Sequence, residues 1–247
     1  MTGLSVSPDI QARLLDVKDM DTEMIVARRR ISELSNEVDA LESDDAYHQL
    51  VREAENAADR VDDVTREKEH VTADIEVAHA RIVRDREREA ASSDTKELVA
   101  LESEISSLER RIEMLKEQQG EILERWKAAT ADRERLMTER DAFHERRSET
   151  QAKLRSEIDA KTTRIAAVES DRARLIAELP VELVELYERQ RERYGVGASL
   201  LTRGISTASG VELTPYQLDV VKNADPFEVL MCPDSNAILI RTAESGL

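Results

Sequence analysis

The pattern of apolar positions is most regular between residues 98 and 154. Leu98, Leu101, Ile105, Leu108, Ile112, Leu115, Gln119, Ile122, Trp126, Ala129, Arg133, Leu136, Arg140, Phe143, Arg147, Thr150 and Leu154 follow one another at alternating steps of three and four. That is a heptad seam, and it predicts a helix that supercoils against a partner helix. One extra step of four leads to Ile158, which predicts a small phase shift there. The seam then resumes through Lys161, Ile165, Val168, Arg172, Leu175 and Leu179.

The same period appears earlier. Ile10, Leu14, Val17, Asp21, Met24, Ala27 (or Arg28), Ile31, Leu34, Val38 and Leu41 form one seam, and Val61, Val64, Lys68, Val71, Ile75, Ala78 and Ile82 another. Ser7 followed by Pro8 suits a helix start, because the hydroxyl can cap and proline fits the first helical position. Residues 91–95 carry no apolar seam residue, and Asp94 with Glu97 fits a capping box. A turn near 91–94 leaves two arms, roughly 8–90 and 95–179. Nearly equal arms predict an antiparallel hairpin within one chain, over residues 1–179. Each arm is about 120 Å long at the helical rise, and paired positions sum to about 187.

The first arm loses its heptad pattern at residues 42–48, opposite Arg140, Phe143 and Arg147. One reading is a recognition site or hinge. The plainer one is that long arginine stems cover the seam while their heads reach water or acidic groups across it.

Leu179-Pro180 ends the second arm, because the residue before proline avoids helical geometry. A short neck helix follows over 180–194, ending before Gly195. Residues 195–247 form a separate module. Ala198–Ile205 and Val211–Leu213 read as extended, and Thr214-Pro215-Tyr216-Gln217 opens a helix over 215–223. Glu228–Met231 and Ala237–Arg241 read as two strands joined by a turn at 232–236. Leu200, Leu201, Ile205, Val211, Leu213, Leu218, Val221, Phe227, Val229, Leu230, Ile238 and Ile240 are its expected core.

Composition supports the helical reading: 36% of residues are charged and 3% aromatic, the balance of a long helical rod rather than one thick core. The formal net charge is -17. The module itself has three basic residues, Arg203, Lys222 and Arg241, against six acidic ones. Such acidity disfavours nucleic acid. A single cysteine excludes an intrachain disulfide. The N-terminus lacks the basic and apolar regions of a signal peptide, and no long apolar run exists, so a cytoplasmic location is expected.

At this point the sequence resembles the bacterial coiled-coil hairpin proteins with a C-terminal four-cysteine zinc ribbon. Lys96-Glu97-Leu98-Val99-Ala100-Leu101 looks like that family's hairpin tip, and Leu179-Pro180-Val181-Glu182-Leu183 with Tyr187-Glu188-Arg189 looks like its neck. The family's ribbon carries two cysteine pairs. In their places stand Ser206-Thr207-Ala208-Ser209 and Cys232-Pro233-Asp234-Ser235. Structural zinc requires four thiolate or imidazole ligands, and Ser206, Ser209 and Ser235 cannot supply them. The resemblance therefore implies a mainly α fold, a long antiparallel coiled-coil hairpin with a small C-terminal α+β zinc-ribbon-like domain lacking zinc. No cofactor is expected.

The function expected is that of a non-enzymatic coiled-coil adaptor or scaffold. Its partners are proteins, with a homodimer possible. Relatives of this type are described as chaperone-like binders of an alternative sigma factor and as linked to flagellar or secretion machinery, and no particular partner is carried over. The alternative is a nucleic-acid-binding regulator acting through ribbon and neck. Candidate contacts are Tyr187, Arg189, Arg191, Arg193 and Tyr194 on the neck and Arg140 and Arg147 opposite the seam break. The interleaved Glu185, Glu188 and Glu192 also allow the neck to be a plain solvated face. No histidine lies in the module to activate Ser206, Ser209 or Ser235, so catalysis is not expected.

Overall fold

A computed structural model describes residues 3–247. The chain is mainly helical, with long helices forming a hairpin and a small sheet at the C-terminal end. The long helices are α1 (Pro8–Glu42), α2 (Asp45–Ala91) and α3 (Thr95–Ala177), and a short helix α4 (Val181–Tyr194) follows them. Contacts divide the chain into two units: residues 40–152, and the segment up to Asp39 together with Lys153–Leu247.

In the first unit α2 and the adjoining part of α3 pair antiparallel. Ser92, Ser93 and Asp94 make the turn between them. Asp94 caps α3 by accepting from the Lys96 N–H at 2.9 Å. The expected capping box closes differently. Glu97 accepts from the Ser92 hydroxyl at 2.8 Å, and that hydroxyl accepts from the Asp94 N–H at 3.2 Å. Ser92 thus relays what a direct bond would have done.

Burial follows the seam. Val61, Val64, Val71, Ala78 and Ile82 are buried on α2, and Leu101, Ile105, Ile112, Ile122 and Leu136 on α3. The seam also continues where no pattern was recognised, through the half-buried Leu50 and the buried Ala54 and Ala57, which pack on Leu136. Facing positions sum to 185 for Arg81 with Glu104, but to 191 for Thr65 with Trp126 and for Tyr47 with His144. The pairs thus fall on both sides of the expected 187.

The phase shift also lies elsewhere than expected. Thr150 is exposed and returns its hydroxyl to the Arg146 carbonyl, while Gln151 is half-buried and donates to Glu42. The extra step of four therefore runs from Arg147 to Gln151, opposite Leu41 and Glu42, where α1 ends.

In the second unit α1 lies beside the last part of α3, and α4 leads into a four-stranded sheet. The strands are β1 (Ala198–Thr202), β2 (Ile205–Ser206), β3 (Leu230–Met231) and β4 (Ile238–Ile240), in the order β2-β1-β4-β3. β1 is parallel to β4, and the other two pairings are antiparallel. The single extended run expected over Ala198–Ile205 is instead a tight hairpin. Arg203 and Gly204 both take positive φ, 49° and 81°, the geometry of a two-residue turn whose twist matches the strands. The N–H groups of Arg203 and Gly204 donate to the Glu244 and Ser245 carbonyls, which hold the turn.

The sheet buries both faces. Ala198, Ile238 and Ile240 join Leu14, Val17, Leu179, Leu183 and Tyr187 in a core shared with α1, α3 and α4. Leu201, Leu230, Cys232 and Leu239 face the other way, under Leu213 and Val221. Val221 lies on α5 (Pro215–Asn223), whose capping box between Thr214 and Gln217 forms as expected. Three residues of the expected core, Ile205, Val211 and Phe227, are instead 41–51% exposed, and Leu239, left out of it, is fully buried. Strand alternation gives each neighbour the opposite face, and only a sheet covered on both sides buries consecutive residues of β4.

The chain's start is tied to this sheet. Val229 donates its N–H to Leu4 and Val6 donates to Phe227, at 3.0 and 2.7 Å. The buried Gln11 amide donates to the carbonyls of Val6 and Phe227.

Two glycines test the packing in opposite directions. A Cβ on Gly197 would enter the Tyr187 ring, whereas one on Gly120 meets nothing within 4 Å. Denaturant melts should show Gly197→Ala destabilised by about 1–3 kcal/mol through overpacking. Gly120→Ala, in the interior of α3, should gain about 0.5–1 kcal/mol from lower unfolded-chain entropy.

Candidate functional site

The neck helix α4 is where sequence placed most candidate residues, and its two faces have different fates. Tyr187 and Arg191 are one turn apart and point inward together. Both reach Asp21, a seam residue of α1 that is only 4% exposed. The Tyr187 hydroxyl donates to Asp21 at 2.8 Å, and Arg191 approaches the same carboxylate at 3.4 Å. Arg172, on the facing seam of α3, donates to Asp21 from Nε at 2.6 Å and from its terminal nitrogen at 3.1 Å. Glu188 completes the cluster, accepting from Arg172 at 2.5 Å and from Arg191 Nε at 2.9 Å.

A buried carboxylate is costly unless it is matched by charge and hydrogen bonds. Asp21 has both, from three side chains on two other helices. Burial pushes the Tyr187 hydroxyl well above the ordinary tyrosine range, and its bond to Asp21 adds to the shift. For Arg172 burial opposes the charge, but bonds to Asp21 and Glu188 outweigh it and hold the guanidinium protonated. Asp21 and Arg172 were read as seam positions only. The available signal was an acid in the seam of α1 and a base in the seam of α3.

On the opposite face of α4, Arg189 and Arg193 are exposed; Tyr194, the last residue of the helix, is exposed as well, and the Arg193 guanidinium lies 5.3 Å from the centre of its ring. Of the other candidates, Arg147 donates from Nε to the Leu41 carbonyl at 2.7 Å and lies 4.6 Å over the Tyr47 ring. A second bond reaches the Glu42 carbonyl at 3.3 Å. It thereby satisfies the open C-terminal carbonyls of α1, the role of a cationic cap. Arg140 pairs with Asp141, its neighbour on the same helix.

In the sheet module Ser206 and Cys232 are fully buried and adjacent. The Cys232 thiol donates to the Ser206 hydroxyl at 3.3 Å, and Ser199, which sequence did not single out, sits 2.7 Å from the same oxygen. Ser199 in turn accepts from the Ala208 N–H. Burial opposes a thiolate at Cys232, but hydrogen bonding from Ser206 and Ser235 outweighs it and lowers the thiol pKa. Ser235 accepts from Ala237 N–H at 3.4 Å. Ser209 turns aside and caps its own loop through the Val211 N–H at 3.2 Å. The structure thus brings Ser206, Cys232 and Ser235 together. Among the described residues no group of three or more His, Cys, Asp and Glu gathers.

Comparison with known proteins follows the helices closely. The family model described as the CT398-like coiled coil hairpin domain matches residues 17–195. An uncharacterized protein of Mycobacterium tuberculosis is 29% identical over 246 residues, covering 94% of this chain and 95% of that one. The structure of a Mycobacterium smegmatis protein superposes with a TM-score of 0.78 at 23% identity, covering 97% of this chain and all of the other. CT398 from Chlamydia trachomatis gives a TM-score of 0.56 at 17% identity, covering 94% and 97%. At these identities the two structures establish the fold alone.

Removing the buried charge should be expensive. Asp21→Asn should destabilise the protein by about 3 kcal/mol, the low end for a broken buried pair because Glu188 still serves both arginines. Tyr187 also sets a pH dependence. Its folded pKa is raised, so its contribution is complete below about pH 10 and is lost as pH rises beyond that. Alkaline melts should therefore fall more steeply for the wild type than for Tyr187→Phe.

In the module, Ser206→Ala takes one hydrogen-bond partner each from the buried Cys232 thiol and the buried Ser199 hydroxyl and should cost about 1–3 kcal/mol. Ser209→Ala should cost less than about 1 kcal/mol, since water can replace its turn bond.

Proposed function

This chain belongs to the CT398-like coiled coil hairpin family, and from that premise we propose that it is a non-enzymatic adaptor that binds protein partners. The observation that carries the reading is how the ionisable side chains of the neck are used. Asp21, Arg172, Tyr187, Glu188 and Arg191 satisfy one another in a cluster around the buried Asp21. The neck is thereby held fast on α1 and α3, and its other face, with Arg189 and Arg193, is presented to a partner together with Tyr194 at the helix end. A face held in one conformation loses little entropy on binding.

The C-terminal module is proposed to be a ribbon that has replaced its metal. Ser206, Cys232 and Ser235 stand at positions where the resembling family has zinc ligands, and there Cys232 hydrogen-bonds with Ser206 and Ser235, while Ser199 bonds Ser206. The reading places the protein in the cytoplasm. No described helix is long and apolar enough to cross a membrane.

The alternative of a nucleic-acid binder meets an unfavourable charge balance. The chain carries a net charge of -17. Of the module's three cations, Arg241 is turned onto backbone carbonyls of Val221, Ala224, Asp225, Pro226 and Glu228. A gel shift with mixed RNA and DNA separates the two readings. The adaptor reading expects no complex, or one that disappears at about 0.1 M salt. A complex that persists there, with a steep salt slope, contradicts it.

A further inference from the structure

Helix α5 has two apolar faces where a small surface helix needs one. Leu218 and Val221 face inward and join Leu213 and Leu230 in the module core. Tyr216 and Val220, four residues apart and therefore on one helical face, point away from it and are 78% and 45% exposed. A single exposed tyrosine would be ordinary. These two, however, lie beside β3, an edge strand of the sheet, and with Met231 and Pro233 they line a groove of about 670 Å³.

The charged residues lining this groove share one sign. Asp219, Asp225 and Glu228 line it, and no lysine or arginine does among the described residues. Arg241 has its guanidinium on five carbonyls, including those of Asp225 and Glu228, and its charge also attracts the carboxylates of both residues. Three carboxylates against that one guanidinium leave the rim of an apolar floor net negative.

We propose that the groove between α5 and β3 docks a segment of a second protein carrying lysine or arginine on either side of a few apolar side chains. This names the partner chemistry of the adaptor reading and rests on it. The apolar side chains would fill the space between Tyr216, Val220 and Met231, where an aromatic and a methionine suit an adaptable contact. The flanking cations would meet Asp219, Asp225 and Glu228, giving a fast, salt-sensitive encounter. A second copy of this chain is a poorer occupant, since like net charges of this size repel. Nucleic acid is poorer still, since its phosphates would face the acidic rim.

The test uses the full-length protein panned against a phage-displayed library of short random peptides. Peptides enriched on the wild type are then synthesised and titrated against two variants. Tyr216→Ala with Val220→Ser removes the apolar wall, and Asp219→Lys reverses a rim charge at an exposed position. Circular dichroism and melting confirm that each is folded. The proposal expects enriched peptides with basic residues flanking apolar ones. It expects binding about tenfold weaker to the double variant, as for a lost anchor, and also weakened by Asp219→Lys alone.

If the first pair does not fold, Asp219→Lys decides the matter by itself. Enriched peptides that bind wild type and variants equally would overturn the groove while leaving the adaptor reading intact. Acidic peptides, or no enrichment, would overturn it as well. Self-association of the wild type that Tyr216→Ala abolishes would assign the groove to a second copy and so contradict the proposal. The adaptor reading itself falls only with the nucleic-acid gel shift.

Discussion

One carboxylate sits where the hairpin seam should be apolar, and much of the second unit is arranged to accommodate it. Asp21 on α1 is matched by Arg172 across the seam and by Tyr187 and Arg191 from the neck. An apolar pair at these two seam positions would have closed the coiled coil without help from α4. A charged pair cannot, because each ion still lacks hydrogen-bonding partners after the first contact. The neck supplies them, and its orientation follows. With the Tyr187 hydroxyl at Asp21, the ring of Tyr187 lies against Gly197, where no side chain fits. β1 begins at the next residue. The position of the sheet is thereby linked to a charge on α1.

The sheet then fastens the chain ends to each other. One face completes the core of α1, α3 and α4, and the other is closed by α5. Residues 4–6 pair with residues 227–229, and Gln11 bonds across to Phe227. A module of about fifty residues is too small to bury an ample core alone. Sharing a core with three helices is one remedy, and the buried set of Ser199, Ser206 and Cys232 is a second, because it joins β1, β2 and the turn after β3.

The helical part was legible because heptad spacing is a property of the sequence alone. The turn at residues 92–94, the break after Glu42 and the capped helix from Pro215 all carried side-chain signals. What escaped detection depended on backbone or on orientation. Arg147 caps carbonyls of Leu41 and Glu42, and a carbonyl leaves no mark on sequence. The Arg203-Gly204 turn lacks the asparagine or aspartate that usually announces positive φ. On the neck, spacing showed that Tyr187 and Arg191 share a face and that Arg189 and Arg193 share another. It could not say which face turns inward, because that depends on Asp21, more than 160 residues away in the chain. The Ser206–Cys232 contact was readable only as a position in a frame, and its third member, Ser199, had no frame to mark it.

The central claim is that neck, sheet and the N-terminal part of α1 form one cooperative unit held by the Asp21 cluster. Native-state hydrogen exchange tests it most directly. The account predicts that amides of α4, β1, β4 and α1 near Asp21 open with a common free energy, and that Asp21→Asn lowers all of them together. If the sheet amides open independently of α1, and the substitution accelerates exchange in α1 alone, the account is contradicted.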